Sequence, residues 1–166
     1  MIDLQQISAE CPLLNEKLCQ DIEGILKRLD QPVTIKAVLD MEQEKSREMA
    51  SFLKCFCQIP SGAAIELELY SIQEVTEGPE AETLSQNLKL DTTYLPVTGL
   101  YMDGAYTGVA FHGIPGGKEI NAFILSIYNM AGPGQELKEG TRKKIQKLKN
   151  PANLKICVSL GCHHCS

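Results

Sequence analysis

The amino-acid sequence predicts an α/β protein with a mixed sheet flanked by helices, and three observations carry that prediction. Apolar residues recur with helical spacing in some segments and with strand spacing in others. Their order along the chain is helix, strand, helix, strand, helix, strand, hairpin strand, helix, which is typical of this class of fold. A helix-to-strand pattern then begins again near the end of the chain, where the strand leads into a Cys-x-x-Cys motif.

The first predicted elements are an arm and a helix. Residues 1–11 carry no clear pattern, so we expect a loosely held arm. A helix is expected to begin near Pro12, because proline suits the first turn, and to end before Gln31-Pro32. Its apolar stripe consists of Leu18, Ile22, Ile25, Leu26 and Leu29.

A strand, a helix and a second strand follow. Alternation predicts the first strand over 33–38, and Asp40 is expected to cap the helix after it. Pro60-Ser61-Gly62 breaks that helix, and residues 65–70 alternate again as a strand with one solvated face. The stripe of the helix consists of Met49, Phe52, Leu53 and Phe56.

The next part of the chain predicts a helix, a hairpin and a strongly apolar helix. An acidic loop over 74–82 leads into a helical patch at 81–88. A strand over 94–102 is entered through Leu95-Pro96, for which we hypothesise a cis peptide bond, and Asp103-Gly104 predicts a tight hairpin turn. His112 is expected at a strand end with its hydrogen bonds satisfied. The last stripe consists of Ile120, Phe123, Ile124, Ile127 and Tyr128.

The final segment repeats the opening pattern. A helix over 137–149 is expected to bury Leu137, Ile145 and Leu148 and to present a solvated basic face. An alternating strand is expected over 154–160.

Charge and composition restrict the function. A net charge of -5 argues against nucleic-acid binding, which needs a basic surface. No apolar run has the length of a membrane span and the first residues do not resemble a signal peptide, so we expect a cytoplasmic protein. Because cytosolic thiols are usually reduced, the cysteines outside the motif are expected to be small buried or half-buried residues. They are Cys11, Cys19, Cys55, Cys57 and Cys157.

The motif itself indicates thiol–disulfide chemistry at Cys162 and Cys165. Two sulfurs at this spacing can bridge, and a helix N-terminus or a neighbouring imidazolium can stabilise the attacking thiolate. His163 and His164 lie between the two cysteines and could modulate them in this way, although two solvent-facing histidines are an equally simple interpretation.

The repeated pattern predicts two thioredoxin-like units. We expect an arm at 1–12, a complete unit without redox cysteines at 13–134, and the first helix and strand of a second, truncated unit at 135–166. In the first unit, Asp40-Met41-Glu42-Gln43 follows the strand where the second has its Cys-x-x-Cys.

Three stretches in this order resemble one known family. They are Lys27-Arg28-Leu29-Asp30-Gln31-Pro32-Val33, Gly113-Ile114-Pro115-Gly116-Gly117-Lys118-Glu119 and Val158-Ser159-Leu160-Gly161-Cys162-His163-His164-Cys165. Together they are similar to the N-terminal domain of the flavoprotein subunit of alkyl hydroperoxide reductase and of related thioredoxin-reductase-like flavoproteins. That domain is a tandem of thioredoxin-like folds, the first without cysteines and the second with Cys-His-x-Cys. This sequence has Ser166 where the family usually has a proline.

The resemblance implies a relay that passes electrons from flavoprotein domains of a longer, homodimeric parent to a peroxiredoxin or thioredoxin-like partner. Cys162 would be the attacking sulfur and Cys165 the resolving one. FAD and NAD(P)H would belong to the parent, since this sequence has no Gly-rich dinucleotide fingerprint and we expect no cofactor or metal in it. As a fragment, the chain is expected to be inactive by itself.

Three alternatives stay open. Archaeal-type protein disulfide oxidoreductases share the tandem plan. Cys162, His163, His164 and Cys165 also offer four zinc or copper ligands, although consecutive residues close a tetrahedron poorly. The third alternative is a non-catalytic interaction module, because a unit without cysteines can offer only its surface.

Overall fold

The computed structural model describes residues 1–158, apart from the side chain of Lys118. Its centre is a four-stranded mixed sheet in the order β2-β1-β3-β4. The first two strands are parallel, and the pairs β1–β3 and β3–β4 are antiparallel. The strands are β1 (Val33–Leu39), β2 (Ile65–Ser71), β3 (Val97–Met102) and β4 (Ala105–His112). The predicted α/β fold with a mixed sheet is confirmed.

The described residues contain six α-helices, and all but the last pack on this sheet or on a neighbouring helix. The apolar stripes of the packed helices face the sheet or a neighbouring helix. Two short 3-10 turns lie at Leu4–Gln6 and Gly117–Glu119. The helices are α1 (Glu16–Leu26), α2 (Glu44–Cys57), α3 (Ile72–Thr76), α4 (Ala81–Leu88), α5 (Ile120–Ala131) and α6 (Glu139–Ile145).

The sheet separates two apolar clusters. Successive side chains of β1 point to opposite faces, so Ile35 and Leu39 enter the larger cluster whereas Val38 enters the smaller one. The larger cluster is built with α1, α2 and α5, and the smaller one with α3 and α4. All four phenylalanines pack around the larger cluster: Phe52, Phe56, Phe111 and Phe123.

The predicted hairpin is confirmed at Asp103-Gly104. Asp103 has φ 50° and Gly104 has φ 76°, as a two-residue turn that matches the twist of the strands requires.

The N-terminal arm (residues 1–12) is held more firmly than the sequence predicted. Ile7 is buried against the larger cluster, and the backbone N–H of Ile2 donates to the carbonyl of Leu69 at 2.7 Å, on the edge strand β2. The helix after the arm begins later than Pro12, because the side chain of Asn15 caps α1 by accepting from the N–H of Leu18. An arm without periodicity can still pack, since a few apolar residues suffice to hold it.

The acidic segment at 74–82 was predicted to be a loop, which is correct for 77–80 and wrong at both ends. Its start belongs to α3, where the Ser71 hydroxyl and the Glu74 carboxylate form a capping box. The acidic residue therefore stabilises a helix start, which a count of charges alone does not reveal.

The end of the described chain also differs from the prediction. The helix is shorter, at Glu139–Ile145, and Leu137, Ile145 and Leu148 are exposed rather than buried. Residues 151–158 form no strand, and Leu154 and Ile156 are each 85% exposed. An amphipathic pattern forms regular structure only where a partner covers its apolar side, and no described residue does so here. Residues 159–160 of the predicted strand lie outside the described residues.

Candidate functional site

The residues predicted to carry the chemistry, Cys162, His163, His164 and Cys165, lie outside the described residues. The structure does describe residues 40–43, which the predicted repeat places opposite this motif, between β1 and α2.

The start of α2 has a network of hydrogen bonds and no cysteine. Asp40 accepts from the N–H of Glu42 at 3.2 Å and from the amide of Gln43 at 2.8 Å. The hydroxyl of Ser46 accepts from the N–H of Asp40 at 3.1 Å. Arg47 donates to the carbonyls of Met41 at 2.7 Å and of Glu42 at 2.9 Å. This network closes the loop without providing a nucleophile for disulfide exchange.

The helix begins three residues later than the sequence indicated. Its N-cap is Gln43 and not Asp40, and Ser46 in the first turn is fully buried. Unpaired N–H groups that could stabilise a thiolate belong to this first turn, so the pair of positions with Cys-x-x-Cys spacing at the helix start is Gln43 and Ser46. Sequence reasoning missed Ser46, although a small polar residue at the start of an apolar stripe was a usable signal.

Pro96 lies at the same end of the sheet. The register pairs Val38 with Val97, which brings Pro96 beside the residues that follow β1. The Leu95-Pro96 bond is cis, as hypothesised, and the carbonyl of Pro96 accepts from the N–H of Gly113 at 2.8 Å.

The strand ends near Pro96 expose an aromatic side chain. Tyr94 is 70% exposed, and its carbonyl lies 2.8 Å from Nδ1 of His112. His112 ends β4 with this hydrogen bond, which confirms the expectation of a satisfied strand-end histidine. Together these residues offer a surface, not a reactive group.

A polar cavity of about 410 Å³ opens on the other face of the sheet, beneath α4. Its lining includes Lys36 and Tyr70, and both contact Glu68: Nζ of Lys36 at 2.9 Å and the hydroxyl of Tyr70 at 2.6 Å. Lys36 also lies over the ring of Tyr101, 5.1 Å from its centroid. Glu68 balances the charge of Lys36, so this pair adds no net charge to the cavity.

These contacts shift two pKa values. Burial alone would raise the pKa of Glu68, but the hydrogen bonds from Tyr70 and Lys36 outweigh it and hold the pKa below its ordinary value. Burial and the hydrogen bond to Glu68 raise the pKa of Tyr70. The carboxylate is therefore stabilised as an anion and the phenol as a neutral donor.

Replacing Glu68 with glutamine is expected to lower the free energy of unfolding at pH 7 by about 1 kcal/mol, a modest value because water screens this half-exposed group. A carboxyl whose pKa is lowered on folding stabilises the protein above its unfolded pKa and loses that contribution as the pH falls through the folded value. The difference from the wild type should therefore shrink below about pH 4. Urea unfolding between pH 7 and pH 3 measures it.

Glu66→Gln is the matched control, since Glu66 lies on the same strand and accepts only a 3.4 Å hydrogen bond from Thr34. A difference between Glu68→Gln and the wild type that stays constant over the whole pH range would contradict the proposed stabilisation of the anion.

The described cysteines follow the prediction with one exception. Cys11, Cys19, Cys55 and Cys57 are half-buried, whereas Cys157 is exposed, because the segment that contains it has nothing packed on it. Burial raises the pKa of the Cys57 thiol to about 12. The four half-buried thiols lie far along the chain from the predicted redox motif, whereas Cys157 lies five residues before Cys162.

Within residues 1–158, no group of three or more His, Cys, Asp or Glu side chains is arranged to hold a metal ion. None of the helices described is both long and apolar enough to cross a bilayer.

The sheet order, the helix start after β1 and the cis-proline at the start of β3 define a mixed α/β unit of the thioredoxin-like class. The described part of this unit has no cysteine at the helix start.

The known proteins that this chain resembles belong to the same class of fold. The chain is 26% identical over 153 residues to the alkyl hydroperoxide reductase AhpF of Staphylococcus aureus (strain NCTC 8325 / PS 47), and the match covers 92% of this chain and 26% of that protein. A crystal structure of the NTD N/C domain of alkylhydroperoxide reductase AhpF from Enterococcus faecalis (V583) matches with a TM-score of 0.64 and 30% identity, over 80% of this chain and 59% of that one. The predicted resemblance to the N-terminal domain of this reductase is confirmed.

A third match supports the fold alone. A protein disulfide oxidoreductase from Aeropyrum pernix K1 superposes with a TM-score of 0.61 at 19% identity, over 90% of this chain and 57% of that one. No family model matches the chain. The chain spans about a quarter of the length of the curated relatives, 26%.

Proposed function

We propose that this chain is a thiol–disulfide relay domain of a flavin-dependent disulfide reductase, which passes electrons to a peroxiredoxin or a thioredoxin-like protein. The observation that carries the proposal is the similarity to AhpF over 92% of the chain, combined with a Cys-x-x-Cys motif at Cys162 and Cys165. We place the reaction in the cytoplasm and expect the longer protein to be a homodimer.

In this proposal Cys162 is the attacking sulfur. Its thiolate attacks the disulfide of the partner, forms a mixed disulfide and releases one partner thiol; Cys165 then attacks Cys162 and releases the second. The partner gains two electrons and two protons, and the chain is left with a Cys162–Cys165 disulfide. His163 and His164 would stabilise the thiolate when protonated.

The residues of this chain do not fit a dinucleotide. The sequence contains no Gly-x-Gly-x-x-Gly fingerprint, so we assign FAD and NAD(P)H, the source of the electrons, to other parts of a longer protein. No step of the relay proposed here passes through a cofactor bound to this chain.

We assign a supporting role to the first unit, at residues 13–134. The hydrogen-bond network around Asp40 and the absence of cysteine from 40–46 leave the start of α2 in that unit with a surface but no exchangeable sulfur. The exposed Tyr94 beside Pro96 is the part of this surface that a peptide or partner would contact. Residues 135–166 would belong to the second, redox-active unit.

The test is a trapping experiment on the protein in the full length that its gene encodes. The Cys165→Ser variant, mixed with a peroxiredoxin in its disulfide form, is expected to accumulate a mixed disulfide at Cys162, visible on a non-reducing gel and released by reductant. Cys162→Ser should trap nothing. Cys157→Ser, added to the Cys165→Ser variant, is the matched control. The exposed Cys157 thiol lies five residues from Cys162, and its replacement should leave trapping unchanged.

Two outcomes would contradict the relay. Trapping that is equal in Cys162→Ser and Cys165→Ser would show that neither cysteine has the assigned role. Stoichiometric zinc or copper in the purified protein, lost in both variants, would instead support the metal-binding alternative for the Cys-His-His-Cys segment.

A further inference from the structure

Three thiols outside the predicted redox motif come together on the first unit. Cys11 ends the N-terminal arm, Cys19 lies on α1 and Cys55 lies on α2, and all three are half-buried. Cys11 and Cys19 pack against the larger apolar cluster, to which α2 also contributes. The arm and α2 therefore lie close in space although they are distant in sequence.

The arm is held against α2 next to Cys55. The Cys55 thiol donates to the carbonyl of Ala9 at 3.1 Å, and Lys54 donates to the carbonyl of Ile7 at 2.7 Å. Cys11 is two residues beyond Ala9, a distance that an extended chain covers in at most about 7 Å. The arm therefore places Cys11 two residues from the carbonyl that the Cys55 thiol contacts.

The electrostatic surroundings of Cys55 agree with Cys11 as its partner. Burial raises the pKa of Cys55, and Cys11 raises it further; Lys54 lowers it, and Cys19 has the smallest effect. The larger effect of Cys11 is consistent with its being closer than Cys19. Among the described residues no three such groups are arranged to hold a metal ion, so the cluster is better described as a pair of thiols with a third nearby.

We propose that Cys11 and Cys55 form a disulfide bond under oxidising conditions, which fastens the N-terminal arm to α2. The site is independent of Cys162 and Cys165, because it uses neither of them. The first unit lacks cysteines at the start of α2. The proposed bond gives this unit and its N-terminal arm a separate pair of cysteines that can be oxidised.

The oxidant is a low-molecular-weight disulfide, such as oxidised glutathione. The Cys11 thiolate attacks one sulfur of that disulfide, which forms a mixed disulfide and releases one small thiol. Cys55 then loses its proton to water and attacks the Cys11 sulfur, which forms the protein disulfide and releases the second small thiol. Two protein thiols are oxidised and one small disulfide is reduced to two thiols. The raised pKa of Cys55 makes its thiolate scarce, so it suits the second, intramolecular step.

Peptide mapping tests the bond in the 166-residue chain. Trypsin places Cys11 in the peptide 1–17 and Cys19 in the peptide 18–27, whereas Cys55 and Cys57 share the peptide 55–89. After incubation with oxidised glutathione, mass spectrometry without reduction is expected to find 1–17 linked to 55–89. The link should disappear after reduction and be lost in Cys11→Ser.

Cys57→Ser and Cys55→Ser resolve the shared peptide. Residues two positions apart on a helix point to different sides. Cys57 is therefore a matched control for Cys55 on the same helix. We expect the link to remain in Cys57→Ser and to be lost in Cys55→Ser. The proposal is overturned if 55–89 is linked to 18–27 instead, if the link survives in Cys55→Ser, or if Cys11 and Cys55 carry only glutathione or remain reduced.

Discussion

Phe123→Ala is expected to lower the free energy of unfolding by about 3–5 kcal/mol. The side chain is fully buried on α5, and its ring centroid lies 5.1 Å from that of Phe56, 5.3 Å from that of Phe111 and 5.8 Å from that of Phe52. Truncation would remove three edge-to-face contacts and leave a cavity where α2, α5 and β4 meet. Urea unfolding followed by circular dichroism measures the change.

Two variants make this measurement specific. Phe123→Leu keeps most of the apolar volume, so it should cost clearly less than the alanine variant. Tyr94→Ala removes an aromatic side chain that is 70% exposed and should change the stability by no more than about 0.5 kcal/mol. A loss below about 1 kcal/mol in Phe123→Ala would mean that the aromatic cluster does not hold the three elements together.

The sheet and its two clusters could be predicted because burial leaves a periodic trace in the sequence. Ile35 alternates with Lys36 along β1, and the apolar Ile35 is the buried one of the two. Phe52 and Phe56 recur with helical spacing on α2, and both are buried. The Asp103-Gly104 turn was equally legible, since few residue pairs accept positive φ at both positions.

The parts that were mispredicted depend on partners distant in sequence. Ile7 is buried because β2 and α2 receive the arm, and nothing near Ile7 in the sequence signals that. Leu148 has the spacing of a buried residue but is exposed, because no described element covers it. Local pattern states what a segment could bury, and tertiary contacts decide whether it does.

The candidate site shows the same division. The Cys-x-x-Cys motif is a local signal, so the assignment of Cys162 and Cys165 comes from the sequence alone and stays a prediction. The actual start of α2 depends on how Asp40, Gln43 and Ser46 share hydrogen bonds, and both Asp40 and Ser46 are residue types that can cap a helix. Only the geometry distinguishes them.

Gly62→Ala is expected to lower the free energy of unfolding by about 3 kcal/mol, the upper end of what overpacking costs. A Cβ at this position would lie 2.5 Å from the carbonyl oxygen of Lys27 and closer still to that of Leu29. The N–H of Gly62 also donates to the carbonyl of Leu26 at 3.0 Å, at the C-terminal end of α1. Because all three neighbours are backbone atoms, no side chain can rotate away, and the connection between α1 and the segment after α2 must shift.

Gly24→Ala is the matched control and should act in the opposite direction. Gly24 lies inside α1, and apart from its chain neighbours and the helix's own backbone no atom lies within 4 Å of the added Cβ, so alanine should stabilise the protein by about 0.5–1 kcal/mol through its helix propensity. Urea unfolding of both variants is expected to give changes of opposite sign in the free energy of unfolding for the same Gly→Ala substitution. If Gly62→Ala proved as stable as the wild type while Gly24→Ala was stabilising, the close approach of Gly62 to the end of α1 would be wrong. The arrangement by which α1 ends against the turn before β2 would then have to be revised.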